Sequence, residues 1–215
     1  MRFSTLSIAT ISVALTYAQT PAESWPITSR NVGCAFGNIT VVPGKWISPS
    51  DVTTQSTIYR TTTLPNIDTT TNPQKPYMLL MLDLSIPSSD VTTPSQYSTL
   101  VPGLAPNTTT RLHWWQGNYS IESSSPSASP SPHHTLLLNT SDSVAAYTAP
   151  RPRDATNHTY AFYLFTQPEN YFPGEEAANG TYYDETTSAR FNFSLTGLVE
   201  KVGEPVAANW FVSSA

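Results

Sequence analysis

The residues able to do chemistry fall in three short segments. Asp83 closes the apolar run Met78-Leu79-Leu80-Met81-Leu82, His113 lies in Leu112-His113-Trp114-Trp115, and His158 and Tyr160 lie in Asn157-His158-Thr159-Tyr160. Each segment puts an ionisable or hydrogen-bonding side chain in or beside an apolar, strand-like run. Burying such a group is costly unless it finds a partner. A fold can satisfy them together by letting them meet, and a carboxylate between two imidazoles would make a small polar pocket. Neutral imidazole donates and accepts, whereas imidazolium donates twice. Two imidazoles and the Tyr160 hydroxyl therefore suit a small anion such as phosphate or carboxylate. Asp83 would orient one imidazole and favour its charged form. Each residue also has a purely structural reading, as a strand-end group bonded to backbone or, for Tyr160, a core ring with its hydroxyl at the surface.

The elements that must position them are strands. Leu84-Ser85-Ile86-Pro87 follows Asp83, and Pro87, which has no amide donor, forces a turn or an edge beside the pocket. Strand alternation puts Leu112 and Trp114 on one face and His113 with Arg111 and Trp115 on the other. One tryptophan is then core and the other a cleft aromatic. His158 is approached by the stiff, cationic Pro150-Arg151-Pro152-Arg153 and leads into Tyr160-Ala161-Phe162-Tyr163-Leu164-Phe165.

Strand signals recur along the chain at 39–42 with Asn38, and at 56–60, 77–85, 111–118, 135–138, 144–148, 160–166 and 206–212, all rich in β-branched and aromatic residues. Pro43-Gly44, Pro102-Gly103 and Pro173-Gly174 read as turns. Leu195 to Val202 is the best helix candidate, stopped by Gly203 before Pro205. The sum is a mainly β, chiefly antiparallel single domain with one or two helices. A Ser/Pro-rich stretch at 120–132 reads as a surface loop, and 88–110 as a long polar connection bordering the pocket.

Residues 1–18 resemble a signal peptide, with Arg2, an apolar Leu6–Leu15 and small residues before a cut near Gln19. A single domain over 19–215 is expected to follow. The apolar run is too short for a membrane anchor, and no later segment is a spanning candidate. Seven sequons fit a secreted or secretory-pathway glycoprotein: Asn38, Asn107, Asn118, Asn139, Asn157, Asn179 and Asn192. A glycan on Asn157 would sit at the pocket lip, so that side chain is expected to be unmodified or turned away from the cleft. Cys34 is the single cysteine, so no intramolecular disulfide can form, and Val32-Gly33-Cys34-Ala35-Phe36 suggests that it is buried.

The formal charge is −5 with 12% charged residues and no basic block. That leaves nucleic-acid and polybasic membrane binding without electrostatic support. His133-His134 has no spaced third ligand, so no metal site is read there. No cofactor motif is present. No Ser lies in a Gly-x-Ser-x-Gly turn, so no nucleophile is marked. The catalytic chemistry this set allows is acid–base assistance to a bound dicarboxylate or anhydride.

In this order, the motifs resemble the phosphatidylethanolamine-binding protein family. Asp83-Leu84-Ser85-Ile86-Pro87 stands where that family has Asp-Pro-Asp-x-Pro, and Leu112-His113-Trp114 matches its Leu-His-Trp. Pro150-Arg151-Pro152 and Thr156-Asn157-His158-Thr159 stand for its Pro-rich turn and Gly-x-His-Arg. Gly203-Glu204-Pro205-Val206-Ala207-Ala208-Asn209-Trp210 is similar to its closing strand. The resemblance runs from about Ile39 to Val212. It implies a large antiparallel sheet packed on a smaller one, a few peripheral helices, and an anion-accepting pocket holding Asp83, His113, His158, Tyr160 and Pro87. Among the departures from the pattern are Ser85 for Asp, Thr159 for Arg and Thr156 for Gly. The first two remove opposite charges, as the loss of one ion pair would.

The resemblance implies phospholipid head-group binding, inhibition of proteases or kinases, and signalling. For secreted fungal members it implies carboxypeptidase inhibition, or assistance in dimerising maleic-anhydride-type monomers into maleidrides. The implied partners are a small anionic or polar ligand and, beyond it, a biosynthetic enzyme or a protease.

Overall fold

Alternation along the central strands determines the architecture. In the computed structural model, which describes residues 19–22, 24–61, 75–91, 100–102, 106–121, 135–139, 141–169, 180–182 and 188–215, the strands join in one sheet. They are β1 (Val32–Phe36), β2 (Ile39–Thr40), β3 (Lys45–Trp46), β4 (Thr57–Arg60), β5 (Tyr77–Pro87), β6 (Thr108–Ile121), β7 (Thr135–Leu138), β8 (His158–Thr166) and β9 (Ala207–Ser213). The order is β2-β1-β4-β7-β6-β5-β8-β9-β3, and only β3–β9 is parallel. The join between β7 and β6 is short, made at Ser120–Leu138 and Ile121–Leu137. There the sheet curls, and β2-β1-β4-β7 folds over the larger part. The expected large sheet packed on a smaller one is therefore present.

β5 is apolar on both faces because both faces are covered. Leu79 and Met81 face the small sheet, where they share a core with Val32, Cys34, Phe36, Ile58, Trp114, Phe162 and Phe211. Met78, Leu80 and Leu82 face the other way, onto Leu112, Trp115, Tyr163 and the helix α1 (Leu195–Val202). Each such side chain contributes roughly 1.5–3 kcal/mol when fully buried. Asn209 fastens the layers, since its buried amide donates to the carbonyls of Val32 (3.0 Å) and Val41 (3.2 Å). Cys34 is buried and unbridged, as expected.

The helix forms where its signals lie. Ser194 Oγ accepts from Gly197 N at 3.0 Å, a cap contributing about 1 kcal/mol. Leu195, Leu198 and Val199 are its buried face, and Gly203, at φ 87°, ends it. Gly44 serves the Pro43-Gly44 turn for two reasons. Its φ is 74°, and a Cβ there would meet the Trp210 ring at 3.0 Å.

Several boundaries differ from expectation. β1 was not anticipated as a strand, and neither was β3. β6 runs from Thr108 to Ile121, longer at both ends. Residues 144–148 are not a strand. They run beside β6 through one bridge, Ala145 to Trp115, and through Thr148 N to the His113 carbonyl at 2.8 Å. The leader at 1–18, most of the 120–132 loop, His133-His134, Asn179, Gly103 and Pro173-Gly174 lie outside the described residues. No described helix is long and apolar enough to cross a membrane.

Candidate functional site

The three polar segments meet at one end of the large sheet. β5 delivers Asp83, β6 delivers Arg111 and His113, and β8 begins with His158 and Tyr160. They line one cavity of about 470 Å³ with Ile86, Asp90, Thr148, Ala149, Arg151, Arg153, Asp154 and Phe191. Small-ligand sites occupy roughly 300–1,000 Å³. Pro87 is not part of this lining. It is the last residue of β5, paired with Thr108 of β6, and a 3-10 turn starts at Ser88, so the strand ends there as expected.

A β-bulge sets the direction of His113. Met81 pairs with Trp114 and Leu82 with Leu112, which leaves His113 as an extra residue in β6. Simple alternation therefore fails at this point. His113 and Arg111 both line the cavity, but Trp115 packs on the opposite face and Trp114 in the inter-sheet core. Both tryptophans are buried and neither is a cleft aromatic.

His113 is nearly sealed, at 1% exposure. Its Nδ1 lies 2.7 Å from the Thr148 carbonyl, which only accepts, so Nδ1 carries the proton and donates. Nε2 is buried without a partner among the described residues. Burial above all, with the charges of Arg111 and Arg190, brings the ring's pKa down to about 4, and the Asp83 charge and the Thr148 hydrogen bond only partly oppose them. His113 is therefore a neutral imidazole whose Nε2 is a bare acceptor. Its edge meets the Tyr160 ring at 5.2 Å between centroids.

His158 has the opposite environment. Nδ1 donates to Asp83 Oδ2 at 2.7 Å, while Nε2 faces Asp154 Oδ2 at 3.2 Å and Oδ1 at 3.3 Å. Burial works against its charge, but the hydrogen bonds and charges of Asp83 and then Asp154 outweigh it, and its pKa rises to about 9. His158 is an imidazolium at neutral pH, held between two carboxylates. Asp83 also accepts from Ser85 N at 2.9 Å. Burial pushes the Tyr160 hydroxyl far up, and the charge of Asp83 and a hydrogen bond to it add to the effect, so Tyr160 stays protonated.

Sequence reasoning missed two residues of this site. Asp154 sits one turn before His158, and Thr156 pins its Oδ1 through both backbone N (2.8 Å) and Oγ1 (2.6 Å). Those bonds hold the Asp154 carboxyl below its ordinary pKa. Asp-x-Thr is a readable turn signal, and here the Thr replaces the motif glycine. Arg190 is the second, and no sequence signal marked it. It is fully buried, and Nη1 donates to the Ala146 carbonyl (2.8 Å) and Thr148 Oγ1 (2.9 Å). It thereby fixes the segment whose carbonyl sets the His113 tautomer.

Ser85 and Thr159 are neighbours, with Thr159 N donating to Ser85 Oγ at 3.1 Å. The two departures from the motif thus lie side by side, as a lost ion pair requires. Asn157 is exposed and is not among the residues lining the cavity. Asn118 and Asn139 spend their side-chain amides on Ser141 and the Gly117 carbonyl respectively, whereas Asn38 is exposed on the β1–β2 turn. Among the described residues no three His, Cys, Asp or Glu side chains are grouped to hold a metal ion.

A curled antiparallel sheet with a polar cavity at the end of its larger part defines a class of β proteins. Within that class, the family model for phosphatidylethanolamine-binding protein matches residues 39–207, and the chain belongs to this family. A curated relative, phomoidride biosynthesis cluster protein N from Fungal sp. (strain ATCC 74256), is 32% identical over 103 residues. That match spans 46% of this chain and 42% of the relative's length. Among solved structures, carboxypeptidase Y inhibitor in complex with its cognate proteinase aligns with a TM-score of 0.56 and 14% identity, over 88% of this chain and 85% of that one. The solution structure of CG7054 aligns at 0.51 and 22%, over 86% and 85%. At these identities the likeness is one of fold.

Proposed function

We propose that the protein binds a small anionic or polar ligand in the cavity between His113 and His158. The observation that carries this reading is the buried, unpartnered Nε2 of His113 in the lining of that cavity. A buried polar atom without a partner costs about 1–3 kcal/mol, and a ligand that satisfies it recovers that cost. The cavity also has cations for an anion. Arg151 and Arg153 make no ion pair among the described residues, and both line the cavity. The imidazoles themselves are poor anion donors here. His158 has both N–H groups engaged, and the one N–H of His113 goes to Thr148. The arginines are then the anion partners. Crystals soaked in turn with phosphate and with a dicarboxylate test the reading. Density against the arginines is the expected result, and an unchanged cavity with both probes would count against it.

A second reading makes the protein an accessory or catalytic component of fungal natural-product assembly. The 32% identity to the phomoidride cluster protein favours it. The ligand would then be a dicarboxylate or anhydride, such as the maleic-anhydride-type monomers that give maleidrides, and His113 Nε2 is the group able to take a proton from it. Unchanged product formation by His113→Ala, with the fold intact, would remove this role. The leader-like start and the sequons support a secretory-pathway location.

A further inference from the structure

Resting on the reading of the cavity as a ligand site, we propose that its ligand is an oxyanion carrying its own hydrogen-bond donor, a hydroxycarboxylate. The cationic end would be met by Arg151 and Arg153, and the donor by Nε2 of His113.

The argument is one of donor and acceptor inventory. A fully ionised phosphate or dicarboxylate only accepts hydrogen bonds. At His113 it would meet a lone pair, because the Thr148 carbonyl at 2.7 Å holds the ring's one proton on Nδ1. Acceptor facing acceptor in a buried site is repulsive and leaves both groups unsatisfied. A hydroxyl removes the conflict. Charging His113 instead would place an imidazolium near Arg111 and Arg190, whose charges oppose it, with Asp83 already engaged by His158 Nδ1 at 2.7 Å. His158 cannot supply the donor either, since Asp154 and Asp83 take both of its N–H groups. A phosphomonoester dianion, which has no proton to give, therefore fits this pocket poorly, and a ligand with one charged end and one donating end fits it well. Sites built around a fixed hydrogen bond reject the analogue that cannot make it far more strongly than they reject a small difference in size.

Titration calorimetry at pH 7 with three matched probes tests the proposal: hydroxysuccinate, succinate and methoxysuccinate. Hydroxysuccinate should bind at least about 10-fold more tightly than either analogue. The methyl ether keeps the oxygen but not the proton, so it separates donation from mere polarity. In His113→Phe the preference should disappear, while the Arg151→Gln/Arg153→Gln double variant should weaken all three probes together and keep the preference. Equal affinity of the three probes for the unmodified protein overturns the proposal without any variant, and leaves the cavity as a ligand site. Failure of all three to bind at tens of millimolar overturns both the proposal and the reading on which it rests.

Discussion

The two histidines of the cavity lie on neighbouring parts of one sheet and contact the same tyrosine, yet they are held in opposite states. His158 faces a carboxylate at each ring nitrogen and carries a charge to about pH 9. His113 faces a carbonyl at one nitrogen and, among the described residues, has no partner at the other, and it stays neutral down to about pH 4. His113 lies deeper, and burial is the largest cause of its lowered pKa, while the carboxylates around His158 outweigh the burial there. One imidazole has become a structural cation, part of the scaffold between Asp83 and Asp154. The other is the group left with unspent hydrogen-bonding capacity, and ligand chemistry falls to it.

The strongest way to break this contrast is to remove the carboxylate behind His158. Asp83→Ala leaves a buried imidazolium without its main partner, and about 3–5 kcal/mol of stability should be lost. Urea denaturation at pH 7 measures it. A loss under about 1 kcal/mol would mean that the pair is not what holds this end of the sheet.

The pH dependence of stability sharpens the same contrast. The unfolded chain protonates His113 near its ordinary 6.5, while the folded protein resists until about 4. Stability therefore falls as pH drops through that window. His158 is the reverse case. Its contribution is complete below 6.5 and is lost as pH rises toward about 9. Together the two histidines give a maximum near pH 6.5, with a limb of about 2–3 kcal/mol on each side. Denaturation midpoints between pH 4 and 9 should trace it. In Asp83→Asn the alkaline limb should vanish and the acid limb remain.

The smallest effect belongs to the partly exposed partner. Asp154→Asn should lower the His158 pKa by less than about one unit and change stability by under about 1 kcal/mol. An NMR titration of the imidazole reads both the direction and the size. A drop as large as that in Asp83→Asn would show that Asp154, not Asp83, holds the charge.

Much of the fold was legible. β-branched, aromatic and apolar runs announced β5 and β8 as strands, and Gly203 before Pro205 marked the end of α1 at Val202. β1 was missed because Gly33 and Cys34 dilute a run otherwise typical of a strand. At the site, the three polar segments could be read because each interrupts an apolar pattern. The direction of the His113 side chain could not. It depends on one extra residue in β6, and a bulge leaves no mark in a sequence read by alternation. Asp154 was missed because it precedes the strand rather than lying in it. Pro87 ends β5 as its missing amide donor suggested, next to the lining residue Ile86.

The sequence by itself determined that Asp83, His113, His158 and Tyr160 would be buried and in need of partners, because alternation and apolar flanks are local properties. Only the tertiary structure decided which partner each received. A carbonyl from residue 148, an arginine from residue 190 and a carboxylate from residue 83 set the protonation of the two rings. Protonation follows distances of a few ångströms between groups far apart in the chain. Two histidines that look alike in sequence are thus an imidazolium and a neutral acceptor in the fold.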